Sequence, residues 1–271
     1  MWGWINDIDL PVWLRTRILS LYVRVFGCNV EEAECSDLSQ YHNLGQFFRR
    51  RLRPGARVID PESELVSPCD GRVLHWSPVD TDQGRVEQVK GVSYKLKHFL
   101  GEEPALSSEQ ETRLYQCVLY LAPGDYHCFH SPSTWSVTSR RHFPGELLSV
   151  SPGVVRRVES LFCINERVVY TGHWEHGFFS MTAVGATNVG SVKVGVDPEL
   201  STNTRKWESD TWHQQSWSPA VRVEKGEYFG EFNLGSTIVL IFEAPDNFDF
   251  SFTEEGGTVR VGESIKLRRE S

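Results

Sequence analysis

Three short segments carry the residue types that do nucleophilic and acid–base work. The first is Ser67-Pro68-Cys69-Asp70-Gly71-Arg72-Val73, a turn leading into a strand. The second, residues 120–132, reads YLAPGDYHCFHSP and holds Asp125, His127 and His130. The third, residues 232–237, reads FNLGST and runs into the apolar stretch 238–242. A serine hydroxyl is a weak nucleophile until a neighbouring base takes its proton. Histidine titrates near neutrality, with an ordinary pKa of about 6.5. A carboxylate can orient that histidine and stabilise its charged form. Nucleophilic chemistry by a Ser, a His and an Asp of these segments is one reading, although their chain order proves nothing, because triads are recognised by geometry. The other is structural, since Asp-Gly is a turn signal and Gly-Ser-Thr before a strand is common in loops. His127 and His130 have the spacing of a metal pair, but no third ligand follows in a familiar pattern. His173 and His176 repeat the spacing, so no metal site is expected.

Two kinds of element must position these segments. Residues 10–26 place Leu14, Ile18, Leu21, Tyr22 and Val25 on one helical stripe. Arg15, Arg17 and Arg24 interrupt it, with Trp13 beside it, a composition that suits a membrane interface as well as a packed helix. Asn29 with Glu32, and Asn43 with Gln46, read as helix starts with their box partners. Pro54-Gly55 reads as the end of the second helix. Residues 43–58 hold Arg49, Arg50, Arg51, Arg53 and Arg57 and no acid, a cluster suited to anionic headgroups or to a solvated helix end. Beyond residue 58, short β-like runs alternate with turn residues: 72–75, 86–89, 115–121, 167–170, 178–184, 191–196 and 237–242. Residues 152–162 are the one further helix-length stretch. An α+β fold follows, a mainly antiparallel β domain with N-terminal helices. The boundary is set at 1–57 against 58–271. Residues 201–219, with Trp207, Trp212 and Trp217, read as a long surface loop.

Composition excludes several classes. With 39% hydrophobic residues, 15 Phe and 9 Trp, the 271-residue chain buries a sizeable core, which excludes wholesale disorder. A net charge of −8 argues against a nucleic-acid partner bound by bulk positive charge. None of the 6 Cys forms a CxxC pair, so free thiols are expected. No apolar run approaches the roughly 20 residues of a membrane span, and no transit peptide is readable.

Together the segments resemble the phosphatidylserine decarboxylases of the mitochondrial type. The resemblance spans about residues 10–262. It includes the Ser67 and Tyr120 segments, RRHFPGELLSV at Arg140, LFCINERV at Leu161, VGATNVGS at Val184 and GEFNLGSTIVLIFE at Gly230. Cys69 departs from the Ala or Ser more usual in that place and leaves Asp70 intact.

The resemblance implies a proenzyme that cuts itself between Gly235 and Ser236. Asp70, His130 and Ser236 would form the self-processing triad, and His127 would serve as acid or base in decarboxylation. His142 and Asn165 would help shape the substrate pocket. The Ser236 hydroxyl would attack the Gly235 carbonyl and turn the amide into an ester. β-Elimination would then release the upstream chain, and hydrolysis would yield ammonia and a pyruvoyl group, the covalent cofactor. That ketone would form a Schiff base with the amine of phosphatidylserine in a membrane and accept the electrons left by CO2, giving phosphatidylethanolamine. No metal or dissociable cofactor is implied. The partners implied are the two chains made by the cut, sharing one β core, and a second copy in a homodimer. The location implied is the mitochondrial inner membrane, with peripheral contact expected of the chain as read. Two other readings stay open: a Ser-His-Asp hydrolase without self-cleavage, and a non-catalytic lipid-binding module.

Overall fold

A computed structural model describes residues 6–80, 84–89, 91–107, 111–187, 191–203, 211–233, 236–252 and 254–267. Helices α1 (Val12–Phe26) and α2 (Leu44–Phe48) come first. They are followed by β1 (Gly71–Pro78), β2 (Arg85–Val89), β3 (Val92–Lys95) and α3 (Leu96–Leu100). Next are β4 (Thr112–Leu121), β5 (Cys128–His130) and β6 (Trp135–Phe143), then α4 (Pro152–Val155) and α5 (Leu161–Ile164). β7 (Arg167–Trp174), β8 (Gly177–Val184), β9 (Val192–Val194) and β10 (His213–Val223) precede β11 (Tyr228–Phe232), β12 (Ser236–Pro245) and β13 (Thr258–Val259).

The α+β, mainly antiparallel class holds. Eight strands form one sheet in the order β10-β6-β7-β8-β12-β4-β1-β13. β5, β11 and β9 form a three-stranded sheet, and β2 pairs with β3. β12 lies inside the large sheet, paired with β4 from Ser236↔Leu121 to Pro245↔Thr112 and with β8 from Thr237↔Val184 to Phe242↔Phe179. Its apolar run is continuous because both faces are covered. Ile238, Leu240 and Phe242 enter one core with the three-stranded sheet, and Val239 and Ile241 enter a second core beneath α3 and α5. Each such side chain contributes about 1.5–3 kcal/mol by leaving water.

The N-terminal helices differ in detail from the pattern read in the sequence. α1 ends at Gly27, a left-handed cap with φ 68°. Asn43 accepts the Gln46 N–H at 2.8 Å, as a cap should, but α2 stops at Phe48, well before Pro54. Asn29 caps no helix; its side chain closes a turn by accepting the Glu31 N–H, and Glu32 is drawn away by Arg57 and Arg260. Residues 152–162 break into α4, which ends at Val155, and α5, which starts after Ser160 in a left-handed conformation. Only part of 201–219 is loop, since β10 begins at His213. Trp217 stacks on Tyr170 and Trp212 lies 5.8 Å from the Phe143 ring; Trp207 lies outside the described residues.

Two glycines fix how the site segments meet. A Cβ at Gly71 would lie 2.4 Å from the Tyr120 carbonyl oxygen, so only glycine lets β1 close on β4 directly after Asp70. A Cβ at Gly124 would lie 2.0 Å from the Phe26 carbonyl oxygen, so only glycine lets the end of α1 seat on the 122–125 turn. Tyr22 adds a second tie there, donating to the Pro123 carbonyl at 2.8 Å.

Candidate active site

The predicted residues converge at one end of the large sheet. Ser236 opens β12 opposite Leu121, and the chain turns at 122–125 directly beyond that partner. Asp125 holds this turn by accepting the Ala122 N–H on Oδ2 at 2.7 Å. His127 follows, and its carbonyl accepts the Phe232 N–H at 2.9 Å, bringing β11 and Asn233 alongside. The Pro68 carbonyl accepts the His130 N–H at 2.7 Å, which lays the Asp70 segment beside β5. Gly235 lies outside the described residues, and so does the proposed scissile bond.

Ser236 is fully buried, and its Oγ has no hydrogen-bond partner among the described residues. The same holds for the buried Nε2 of His127, Oδ1 of Asn233 and two nitrogens of Arg50. Most buried polar atoms in folded proteins are paired. Tyr94, His176, Ser180, Thr182 and Thr237 also carry such atoms, so what sets this place apart is that Ser236, His127, Asn233 and Arg50 bring theirs together on adjoining segments.

His127 Nδ1 faces the Asp125 carbonyl at 2.9 Å. A carbonyl only accepts, so Nδ1 carries the proton and Nε2 presents a lone pair. The ring lies on Phe48, 3.8 Å between centroids, and is fully buried. Burial pushes its pKa down to about 3; the Asp125 hydrogen bond opposes the shift and the Arg50 charge adds to it.

That shift has a consequence for acid stability. The unfolded imidazole takes up a proton below about 6.5. The folded one resists until about 3. The unfolded state therefore binds more protons across this window, and stability falls as pH drops from about 6.5 toward 3. At about 1.4 kcal/mol per pKa unit, going from pH 7 to pH 5 costs about 2 kcal/mol through His127. Thermal melts at the two pH values check this, and the drop should shrink in His127→Gln.

His130 is engaged at both nitrogens. Nδ1 donates to the Gly226 carbonyl at 2.9 Å, and Nε2 accepts from the Tyr126 hydroxyl at 3.1 Å. Burial holds its pKa below the ordinary value, and the Asp70 charge partly offsets this. Asp70 makes no hydrogen bond to His130. Arg57 grips its carboxylate instead, donating from Nε to Oδ1 at 3.0 Å and from Nη2 to Oδ2. The Val261 N–H also donates to Oδ1 at 2.9 Å, and Arg57 reaches Glu32 at 2.9 Å as well. The structure thus brings Asp70 and His130 into one electrostatic neighbourhood without joining them to each other or to Ser236.

The remaining two predicted residues lie behind this site. Asn165 spends its amide on backbone, accepting the Leu148 N–H and donating to the Leu148 and Gly185 carbonyls. His142 pairs with Glu166 at 2.8 Å, and Glu166 also accepts the Asn203 N–H. Both are buried; Asn165 holds the Gly185 carbonyl directly, and Glu166, the partner of His142, accepts the Gly185 N–H on its own carbonyl at 2.8 Å.

Sequence reasoning missed Arg50, Arg57 and Tyr126. Tyr126 stood inside the quoted segment with no role assigned. The arginine cluster turns inward more than outward: Arg57 onto Asp70 and Glu32, and Arg49 and Arg51 toward Glu231. With Asp70, Arg72, Asp125 and Arg260, Arg50 and Arg57 line a cleft of about 340 Å³ whose wall includes the end of α1.

Comparison with known proteins bears directly on this arrangement. The family model described as "Phosphatidylserine decarboxylase" matches residues 44–267. The "Phosphatidylserine decarboxylase proenzyme, mitochondrial" of Pongo abelii is 48% identical over 97% of this chain and 69% of its own. The protein of the same name from Rattus norvegicus is 47% identical over 97% of this chain and 70% of its own. In Saccharomyces cerevisiae, "Phosphatidylserine decarboxylase proenzyme 1, mitochondrial" is 36% identical over 98% of this chain and 70% of its own.

Proposed function

Because the chain belongs to the phosphatidylserine decarboxylase family, we propose that it cuts itself between Gly235 and Ser236 and converts phosphatidylserine to phosphatidylethanolamine and CO2 at the new chain end. The observation that carries this reading is Ser236 Oγ, a buried hydroxyl without a partner among the described residues, at the first residue of an interior strand. Leaving such a group unpaired costs about 1–3 kcal/mol. A reacting atom is one for which a fold bears that cost. The pyruvoyl group derived from Ser236 supplies an electrophilic carbonyl and an electron sink for loss of CO2.

The chain's own residues divide the proton work. In processing, His130 is the base that takes the Ser236 proton at Nε2. The Tyr126 hydroxyl now bonded to that nitrogen must rotate away or relay the proton. Asp70 compensates the charge gained by His130 from its Arg57-held position. In decarboxylation, His127 moves the proton at the reacting carbon. Its Nδ1–H is committed to Asp125, so Nε2 is the atom that does so. Phe48 and the surrounding core keep water from this nitrogen. His142 and Asn165 act as positioning residues through the turn at 185.

Residues 1–57 form the membrane-associating segment in this reading, and 58–271 the catalytic domain. Among the described residues no helix is long and apolar enough to cross a membrane. α1 instead leaves Val12, Trp13, Leu21 and Val25 exposed while Leu19 is buried beneath it. A peripheral contact with the mitochondrial inner membrane is proposed for this face; the relatives' names say mitochondrial. Trp13→Glu with Leu21→Glu should weaken liposome binding by roughly tenfold or more, since each buried apolar side chain contributes about 1.5–3 kcal/mol. Flotation with phospholipid vesicles checks this, and unchanged binding removes α1 as the docking helix.

Intact-mass measurement of the matured protein, combined with CO2 release from carboxyl-labelled phosphatidylserine, tests the function as a whole.

A further inference from the structure

We propose that Arg50 is the residue that binds the substrate's phosphodiester, an inference that rests on the function proposed above. Arg50 is only 4% exposed. Its Nη2 donates to the Gly124 carbonyl at 3.0 Å and lies 3.5 Å from the Asp125 carbonyl. Its Nε and Nη1 are buried with no partner, and it is in no ion pair among the described residues. A buried guanidinium in no ion pair is costly, because the nearby Asp125 charge repays the loss of hydration only in part. The neighbouring arginines differ: Arg57 has Asp70 and Glu32, and Arg51 has Glu231. Arg50 alone among these three has buried N–H donors with no partner among the described residues, and the residue lines the 340 Å³ cleft. A charged N–H donor of this kind pairs strongly with a phosphodiester oxygen.

Its place relative to the reacting groups selects the phosphate over the carboxylate. Arg50 Nη2 lies 3.5 Å from the same Asp125 carbonyl that His127 Nδ1 faces at 2.9 Å. In phosphatidylserine only a methylene and an oxygen separate the carbon that loses CO2 from the phosphorus. A substrate whose reacting carbon meets His127 therefore carries its phosphodiester to the residues beside His127. A guanidinium on the carboxylate would stabilise the charge that must flow into the carbon and so oppose the reaction. On the phosphodiester, whose charge is the same in substrate, transition state and product, it gives uniform binding, which lowers KM and leaves kcat alone. The cleft wall formed by Phe26 and Gly27 places the opening next to α1, where a headgroup would enter from a membrane.

The test uses the matured enzyme with two soluble competitors. Glycerophosphoethanolamine has the phosphodiester and no carboxylate, and free serine has the carboxylate and no phosphate. In Arg50→Gln, the KM for short-chain phosphatidylserine and the inhibition constant of glycerophosphoethanolamine should both rise about tenfold to a hundredfold, the scale of one charged hydrogen-bond pair. Arg50→Lys should recover part of the loss, while kcat and inhibition by serine stay near wild type. If serine inhibition moves and glycerophosphoethanolamine inhibition does not, Arg50 reads the carboxylate and the proposal falls. If neither moves, Arg50 is only a strut between α2 and the 122–125 turn, and the proposal falls too. Should Arg50→Gln fail to fold, the lysine variant carries the same comparison. Calorimetric titration of glycerophosphoethanolamine into wild type and variants decides the point even if no CO2 is released, an outcome that would overturn the proposed function instead.

Discussion

Replacing Ser236 by alanine is expected to leave one uncut chain of 271 residues and no measurable decarboxylation. Wild type should instead give pieces of 235 and 36 residues, the shorter beginning with a ketone. The loss of activity should be on the order of 10⁴-fold or more, the scale seen when a covalent nucleophile is removed. The fold should survive. Ser236 Oγ is buried without a partner among the described residues, so deleting it removes an unsatisfied group, and the melting temperature should hold or rise slightly. A stable, uncut, inactive protein is thus the expected outcome. The experiment also separates the competing readings. A Ser-His-Asp hydrolase would lose activity in the same variant but show a single intact mass in wild type. A lipid-binding module would bind vesicles and release no CO2 in either form.

His127→Gln should split the two reactions. Self-cleavage should proceed, while decarboxylation falls about 10²- to 10⁴-fold, the range for a positioned proton-transfer group. Glutamine keeps an N–H able to reach the Asp125 carbonyl but cannot exchange a proton at the other end. With its pKa pushed down to about 3, His127 is neutral throughout the working range. It therefore donates only a proton it has first accepted within the same turnover, and it adds no step near pH 6.5 to the rate profile. His130→Gln should do the reverse at the earlier stage and leave the chain uncut. Mass spectrometry and labelled-CO2 release, run on both variants, give the two readouts. Equal loss of cleavage in both would overturn the division of roles.

The parts of this molecule that rest on local pattern were readable in advance. The apolar runs of β4, β8 and β12 are continuous because each strand is covered on both faces, and that burial leaves its mark in composition. β10 was not readable. Its pairing with β6 shifts between Ser216 and Val221, so residues 217–220 bulge and the alternation breaks. The Asn29–Glu32 signal failed for another reason. A carboxylate three residues after an asparagine looks like a cap partner, yet Glu32 meets two cations from distant segments, Arg57 and Arg260. The arginine cluster is the sharpest case. Arg50, buried in the site wall, and Arg53 have identical chemistry in one dimension. Only folding decides which one loses its water. The residues to which catalytic roles are proposed were legible as segments, but the bonds now holding Asp70 and His130 involve Arg57, Val261, Gly226 and Tyr126, and no spacing rule connects those.

The position of β12 between β8 and β4 bears on how such a protein can be made at all. On the proposed cut, the segment that supplies this strand is a separate polypeptide in the working enzyme. The two pieces nevertheless cannot have been separate genes. Without β12 the longer piece would expose two unpaired strand edges in mid-sheet, a template for aggregation. The shorter piece, at 36 residues, is below the size that folds unaided. Translation as one chain, folding, then scission is the one workable order. A matured molecule that loses its structure has no route back, so its lifetime is set by its rate of unfolding rather than by its equilibrium stability.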